Sequence, residues 1–262
     1  MRPGAWSLGG MLLAAWLLAS PAPAAPAQAQ PGAHLAGLQW TFVRIKYTAQ
    51  FRPGSNYRFD YWGEPWAIDA PAAEQNLSRR LKTVTAIDVG DPVVLTLEDP
   101  LLWQYPWIYI VEPGNLRLQD AEVPILREFL LRGGTLTFDD FHGPYEWENL
   151  VIEMQRVFPD RRIVDLPLTH AIYTCFYKID AYPQIPGLGS FLSGRSWEKG
   201  GFVPHLRAIL DDRDRPMVLI NWNTDMGDGW EWSNAEDYPG YLQHTREAYR
   251  MAINEIVYAL TH

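Results

Sequence analysis

The chain contains a single cysteine, Cys175, among 262 residues. No intramolecular disulfide can form, and no paired-cysteine zinc site exists. Cys175 lies in the apolar, aromatic run Ile172-Tyr-Thr-Cys-Phe-Tyr177, where a small packed hydrophobe is expected rather than a reactive thiol. The sequence also lacks a His-x-x-x-His spacing, a Gly-x-Ser-x-Gly elbow and a phosphate-binding loop, and Gly187-Leu-Gly-Ser-Phe-Leu-Ser-Gly194 is an incomplete dinucleotide fingerprint. Zinc chemistry and nucleophilic hydrolysis therefore have little support. Positive charge is scarce: 22 basic residues face 31 acidic ones, a formal net charge of −9. That balance argues against a nucleic-acid partner and suits cations or neutral polar ligands. No segment approaches the roughly 20 consecutive apolar residues needed to span a bilayer.

What is present begins with a leader. Arg2, the apolar run Met11–Leu18 and the small-residue tail Ser20–Ala29 follow the charged, apolar and small-residue order of a secretion signal. Cleavage is expected after Ala29, with Ala24 as the competing site, because both end a small-x-small triplet without a following proline. Residues 1–29 are thus read as a signal peptide, 30–37 as a linker and 38–262 as one α/β domain. The product is expected in the periplasm or outside the cell, where cations are abundant. An apolar fraction of 47% can supply a full core without staples. The 12 tryptophans are expected mainly in that core.

Along the chain, strands are expected at Trp40–Tyr47, Asp91–Leu97, Trp107–Val111, Thr135–Phe138 and Arg162–Leu166. Helices are expected from Asp69 to about Ala86, after Asp120 as cap, after Pro144, and over His244–Leu260. Leu206–Leu210 and Met217–Trp222, split by Asp211-Asp-Arg-Asp-Arg-Pro216, read as a hairpin. The Gly/Pro/Ser-rich stretch from Tyr182 to Pro204 is long enough to be a functional loop. This alternation predicts a three-layer α/β fold, its mostly parallel sheet covered by helices on both faces, with a C-terminal β-hairpin.

Ligands of such sheets bind beyond the carboxyl ends of the strands. The polar residues there are Glu112, Asp139-Asp-Phe-His-Gly143, Thr169-His170 and Asn221–Glu231. Successive Asp139 and Asp140 should leave a strand on opposite faces, so one is expected to enter the crevice and the other to cap a loop. Close carboxylates bind hard cations or hold one raised pKa. His142 and His170 suit ligation or proton transfer, with a hydrogen-bonding strut as the plainer role. Asn223, Asp225, Asp228 and Glu231 offer oxygen donors beside Trp230, but Gly227 stands where a calcium loop requires its third acid. Tight loop geometry, with glycines at positive φ, is the competing account.

The segments Phe42-Val-Arg-Ile-Lys-Tyr47, Trp103–Ile110, Arg132-Gly-Gly-Thr-Leu-Thr-Phe-Asp-Asp140, Leu166-Pro-Leu-Thr-His170 and Asn223–Glu231 resemble the bacterial family called domain of unknown function 4159. The resemblance covers nearly all of residues 40 to 260 and implies a flavodoxin-like fold of the class I glutamine amidotransferase-like kind. The chain departs from that family's expected pattern at Glu112-Pro-Gly114, in place of a Gly-His-Gly-like turn, and at Phe141, where cysteine is frequent. Cys175 lacks flanking glycines, so glutaminase chemistry is not carried over. The leading expectation is an exported domain whose crevice, built from Asp139, Asp140, His142, His170 and the Asn223–Glu231 segment, binds a small polar ligand or a divalent cation. The alternatives are a metal-assisted or carboxylate-driven hydrolase of extracellular material, and an envelope assembly partner using exposed tryptophans.

Overall fold

The computed structural model describes residues 32–50, 63–234, 236 and 238–262. The proposed leader and most of the Phe51–Trp66 loop lie outside the described residues. The architecture is α/β, with a seven-stranded, mostly parallel sheet between two helical layers. In chain order the strands are β1 (Val43–Ile45), β2 (Val93–Leu95), β3 (Trp107–Val111), β4 (Thr135–Phe141), β5 (Ile163–Asp165), β6 (His205–Leu210) and β7 (Pro216–Trp222). Across the sheet they run β2-β1-β3-β4-β7-β6-β5. All neighbours are parallel except β6, which is antiparallel to both β7 and β5. The helices are α1 (Ala72–Val84), α2 (Glu122–Leu131), α3 (Gly143–Val157), α4 (Leu188–Leu192), α5 (Met226–Glu231) and α6 (Leu242–Thr261).

Strand periodicity explains the layering. Along β3, Trp107, Tyr109 and Val111 enter the core that holds Leu77 of α1, Trp230 of α5 and Met251 of α6. Ile108 and Ile110 point the other way, into the core with Leu126 of α2 and Met154 of α3. A strand buried on both faces needs the continuous apolar run found there. Each fully buried large side chain contributes about 1.5–3 kcal/mol. Trp40, Trp107 and Trp230 are all buried in the first core, where Trp107 stacks on Tyr109 and Trp230 tilts against it. Cys175 is half-buried; its thiol donates to the Asn254 carbonyl at 3.2 Å, and burial pushes its pKa up to about 11. A raised pKa and an apolar setting both disfavour the reactive thiolate.

Several local expectations are corrected. The Trp40–Tyr47 strand is broken into Gln39–Trp40, paired with Asp88–Val89, and β1. Asp69 does not cap α1, which starts at Ala72; its φ of 64° takes it out of the helix. Asp120 does not cap α2 but accepts from Arg156 at 2.8 Å, while Glu122 Oε2 takes the Gln119 N–H at 2.7 Å. β4 runs three residues beyond Phe138, and residues 226–231 are helical rather than loop.

Candidate functional site

The strand order reverses between β1 and β3, and the crevice outside the carboxyl ends at such a reversal is where open α/β sheets hold ligands. Asp69 follows β1, Glu112 follows β3, Asp139 and Asp140 end β4, and Asn223 and Asp225 follow β7.

A β-bulge decides how β4 meets this crevice. Phe138 pairs with Ile220 and Phe141 with Trp222, so β4 has one residue more than β7 in this interval. The surplus is absorbed with Asp140 at φ 54°. A bulge disturbs the alternation of faces, and the two aspartates take different roles. Asp139 accepts from Tyr109 Oη at 2.9 Å and from the first N–H groups of α5, Met226 at 3.2 Å and Gly227 at 2.8 Å. Asp140 joins Asp69 and Asp225, one carboxylate oxygen from each lying within 4.8 Å of the others. Asp139 is thus the strut that docks α5, and Asp140 is the group left facing the crevice.

Asp225 caps α5 by accepting the Asp228 N–H at 2.8 Å. Asp228 accepts from Leu188 N at 2.5 Å and from Trp232 Nε1 at 3.0 Å. Asp69, Asp228 and Glu231 form a second group within the same 4.8 Å limit. Asp69 reaches both groups because Gly227 has no side chain: a Cβ there would lie 2.0 Å from Asp69 Oδ2. The glycines of α5 therefore serve close approach rather than positive φ. Non-glycine residues with positive φ concentrate around the crevice instead: Asp69, Glu112, Asp140, Lys199 and Asn223. Such backbone costs of order 1–3 kcal/mol per residue and persists where surrounding structure over-determines it.

Asn223 is a tie, its Oδ1 accepting from Gly143 N at 2.9 Å and its Nδ2 donating to the Val203 carbonyl at 2.6 Å. His142 is buried with Nε2 3.2 Å from Asp140 Oδ1, and its Nδ1 has no hydrogen-bond partner. Trp230 belongs to the aromatic core. His170 does not join the site: its Nδ1 accepts from Ile172 N at 3.2 Å and its ring packs 5.1 Å from Tyr258. Tyr258 lines a cavity with Gly133, at the amino end of β4.

The electrostatics follow from burial of like charges. Burial first, then Asp228, Asp140 and Glu231, hold the Asp69 carboxyl well above its ordinary range. Asp225 is raised in the same way by burial and by Asp140, Asp228 and Asp69. Burial also raises Asp140, opposed by Lys199. Asp139 rises only to about 6, because its hydrogen bonds offset its burial, and Glu231 rises to about 7 through burial and Asp228. The two nearest cations are engaged elsewhere. Arg44 binds Glu74 at 2.8 Å and 3.0 Å and the carbonyls of Trp66 and Ile68. Lys199 lies 2.8 Å from Glu146 and 3.6 Å from Glu112. Among the described residues no lysine or arginine pairs with Asp69, Asp140, Asp225 or Asp228.

Sequence reasoning missed Asp69 by treating it as a cap, and missed Lys199 within the long loop. Asp69 carries no strand-end signal, since it lies 24 residues beyond Ile45 at the end of β1 and just past the short turn Pro65–Ala67.

Fold and site together define an α/β protein with a buried acidic crevice at the carboxyl edge of its sheet. The sequence model of the family described as domain of unknown function (DUF4159) matches residues 41–260, and the chain belongs to that family. Comparison with curated proteins gives no match. Among the described residues no helix is long and apolar enough to cross a membrane.

Proposed function

We propose that the chain is an exported protein that binds a hard divalent cation through Asp69, Asp140 and Asp225. The observation that carries this reading is the approach of three buried carboxylate oxygens to within 4.8 Å of one another, with the His142 ring beside Asp140 and, among the described residues, no lysine or arginine paired with any of the three. Oxygen ligands on a cation at about 2.0–2.4 Å stand at most about 4–4.8 Å apart, so the spacing suits a common ion. An all-carboxylate set favours calcium, magnesium or manganese over softer metals. Uncompensated buried carboxylates cost several kcal/mol each, and a bound cation removes that cost. The leader supports export to a compartment where such ions are plentiful. The strand order, which begins 2-1-3-4, supports a flavodoxin-like assignment.

Thermal unfolding with and without calcium, magnesium and manganese tests the reading. An ion at 100 times its Kd adds about 2.7 kcal/mol, equivalent to roughly 5–10 °C for a chain of this size. Asp140→Asn should abolish that rise while leaving the ion-free protein as stable or slightly more so. Asp225→Asn should do the same, because asparagine still caps α5. A folded wild-type protein indifferent to all three ions would refute the reading.

A further inference from the structure

We propose that the crevice holds a second divalent cation, bound by Asp69, Asp228 and Glu231, with Asp69 bridging the two ions. This rests on the cation reading above and extends it from one ion to two. Asp69 is the member common to the two carboxylate groups, each of which satisfies the same 4.8 Å spacing. A carboxylate has two oxygens and about four lone-pair directions, enough to serve both ions. Asp69 Oδ2 is sealed from solvent without a hydrogen-bond partner, against the backbone of Gly227. A buried carboxyl oxygen in that state lacks a partner that the described protein groups do not supply.

The other two ligands stand ready on α5. Asp228 and Glu231 are three residues apart in one helix, which puts them on a common face. Bonds from Leu188 N and Trp232 Nε1 fix the Asp228 carboxylate. Arg44 carries two carbonyls of the Asp69 loop, those of Trp66 and Ile68, and so positions the bridge from below. Asp140 and Asp225 are buried, whereas Asp228 and Glu231 are partly exposed. The first ion is therefore enclosed by protein, and the second sits on the solvent side, where water can complete its shell. Carboxylate-bridged pairs of this kind stand about 3.5–4 Å apart.

Native mass spectrometry of the intact chain with manganese, together with electron paramagnetic resonance, decides the matter. Two manganese ions per wild-type chain and a spin-coupled signal are expected. Glu231→Gln should retain one ion and weaken the second at least tenfold, with loss of the coupled signal. Asp69→Asn, which keeps the size of a side chain whose Oδ2 has no hydrogen-bond partner, should lower both affinities. One ion per wild-type chain overturns the second centre and leaves the first. No ion in a folded sample overturns both. Two tight ions in Glu231→Gln would show that the second ion lies elsewhere.

Discussion

Glu255 shows how one residue ties the pH dependence of the fold to its burial. It projects from α6 into the core, where Asn221 Nδ2 donates to its Oε2 at 3.4 Å and its Oε1 has no partner. Burial, with Asp139 of β4 nearby, raises its pKa to about 8; Tyr173 and Tyr182 are the other titratable groups facing it. The folded pKa exceeds the unfolded value of about 4.3, so the folded state binds the extra proton between the two. Its contribution to stability is complete below the unfolded pKa and falls as pH rises toward 8, at up to about 1.4 kcal/mol per pH unit. Glu255→Gln keeps the shape and removes the titration. Chemical denaturation from pH 5 to 8 should show a shallower decline for the variant than for the wild type. Parallel declines would mean that Glu255 is ionised in the native protein.

At the scale of elements, the crevice is assembled by the short helix α5 and the bulge of β4, and these were the parts least legible in the sequence. Helix periodicity needs several turns to register, and Met226–Glu231 is six residues long. The bulge depends on pairing with a strand some 80 residues away, so Asp139 and Asp140 read locally as ordinary alternating positions. By contrast β3, α3 and α6 have long periodic or continuous apolar patterns and were anticipated within a few residues. Gly227 tests the packing of α5 against the Asp69 loop. Alanine is ordinarily about 1 kcal/mol better than glycine inside a helix, and Gly227→Ala keeps the N–H that binds Asp139. Its Cβ would nonetheless meet Asp69 Oδ2 at 2.0 Å, and the tip of that side chain must move. The expected result is a fall in cation affinity of tenfold or more with little loss of folding stability. Calorimetric titration beside thermal unfolding separates the two, and unchanged affinity would remove Asp69 from the ligand set.

At the scale of the molecule, the sheet supplies rigidity and its carboxyl edge supplies charge. Asp140, Asp225, Asp228 and Glu231 lie near one another, as strands that run parallel deliver their following loops to one edge, while Asp69 joins them from a distant turn. His170 was gathered by the same rule and does not belong. The chain leaves β5 and settles His170 against Tyr258 near the end of α6, a tertiary choice with no local signal. Long-range tethers hold the edge together: Asn223 joins Gly143 to Val203, and Gln184 donates to the carbonyls of Gly201 and Asn223. Asn223→Ala breaks the first tether and leaves the Gly143 N–H unpaired in a buried position, at a cost of about 1–3 kcal/mol. Hydrogen exchange should quicken in residues 199–204 and 141–144 together. Protection unchanged in both would contradict the tether.

The proposed cation site requires an ion at the point shared by Asp69, Asp140 and Asp225. A crystal of the protein grown with manganese, measured near the manganese absorption edge, locates that ion through its anomalous signal. The structure predicts a peak about 2.0–2.6 Å from one carboxylate oxygen of each of the three aspartates. Ordered aspartates with only water or a shared proton between them, and no anomalous peak, would contradict it.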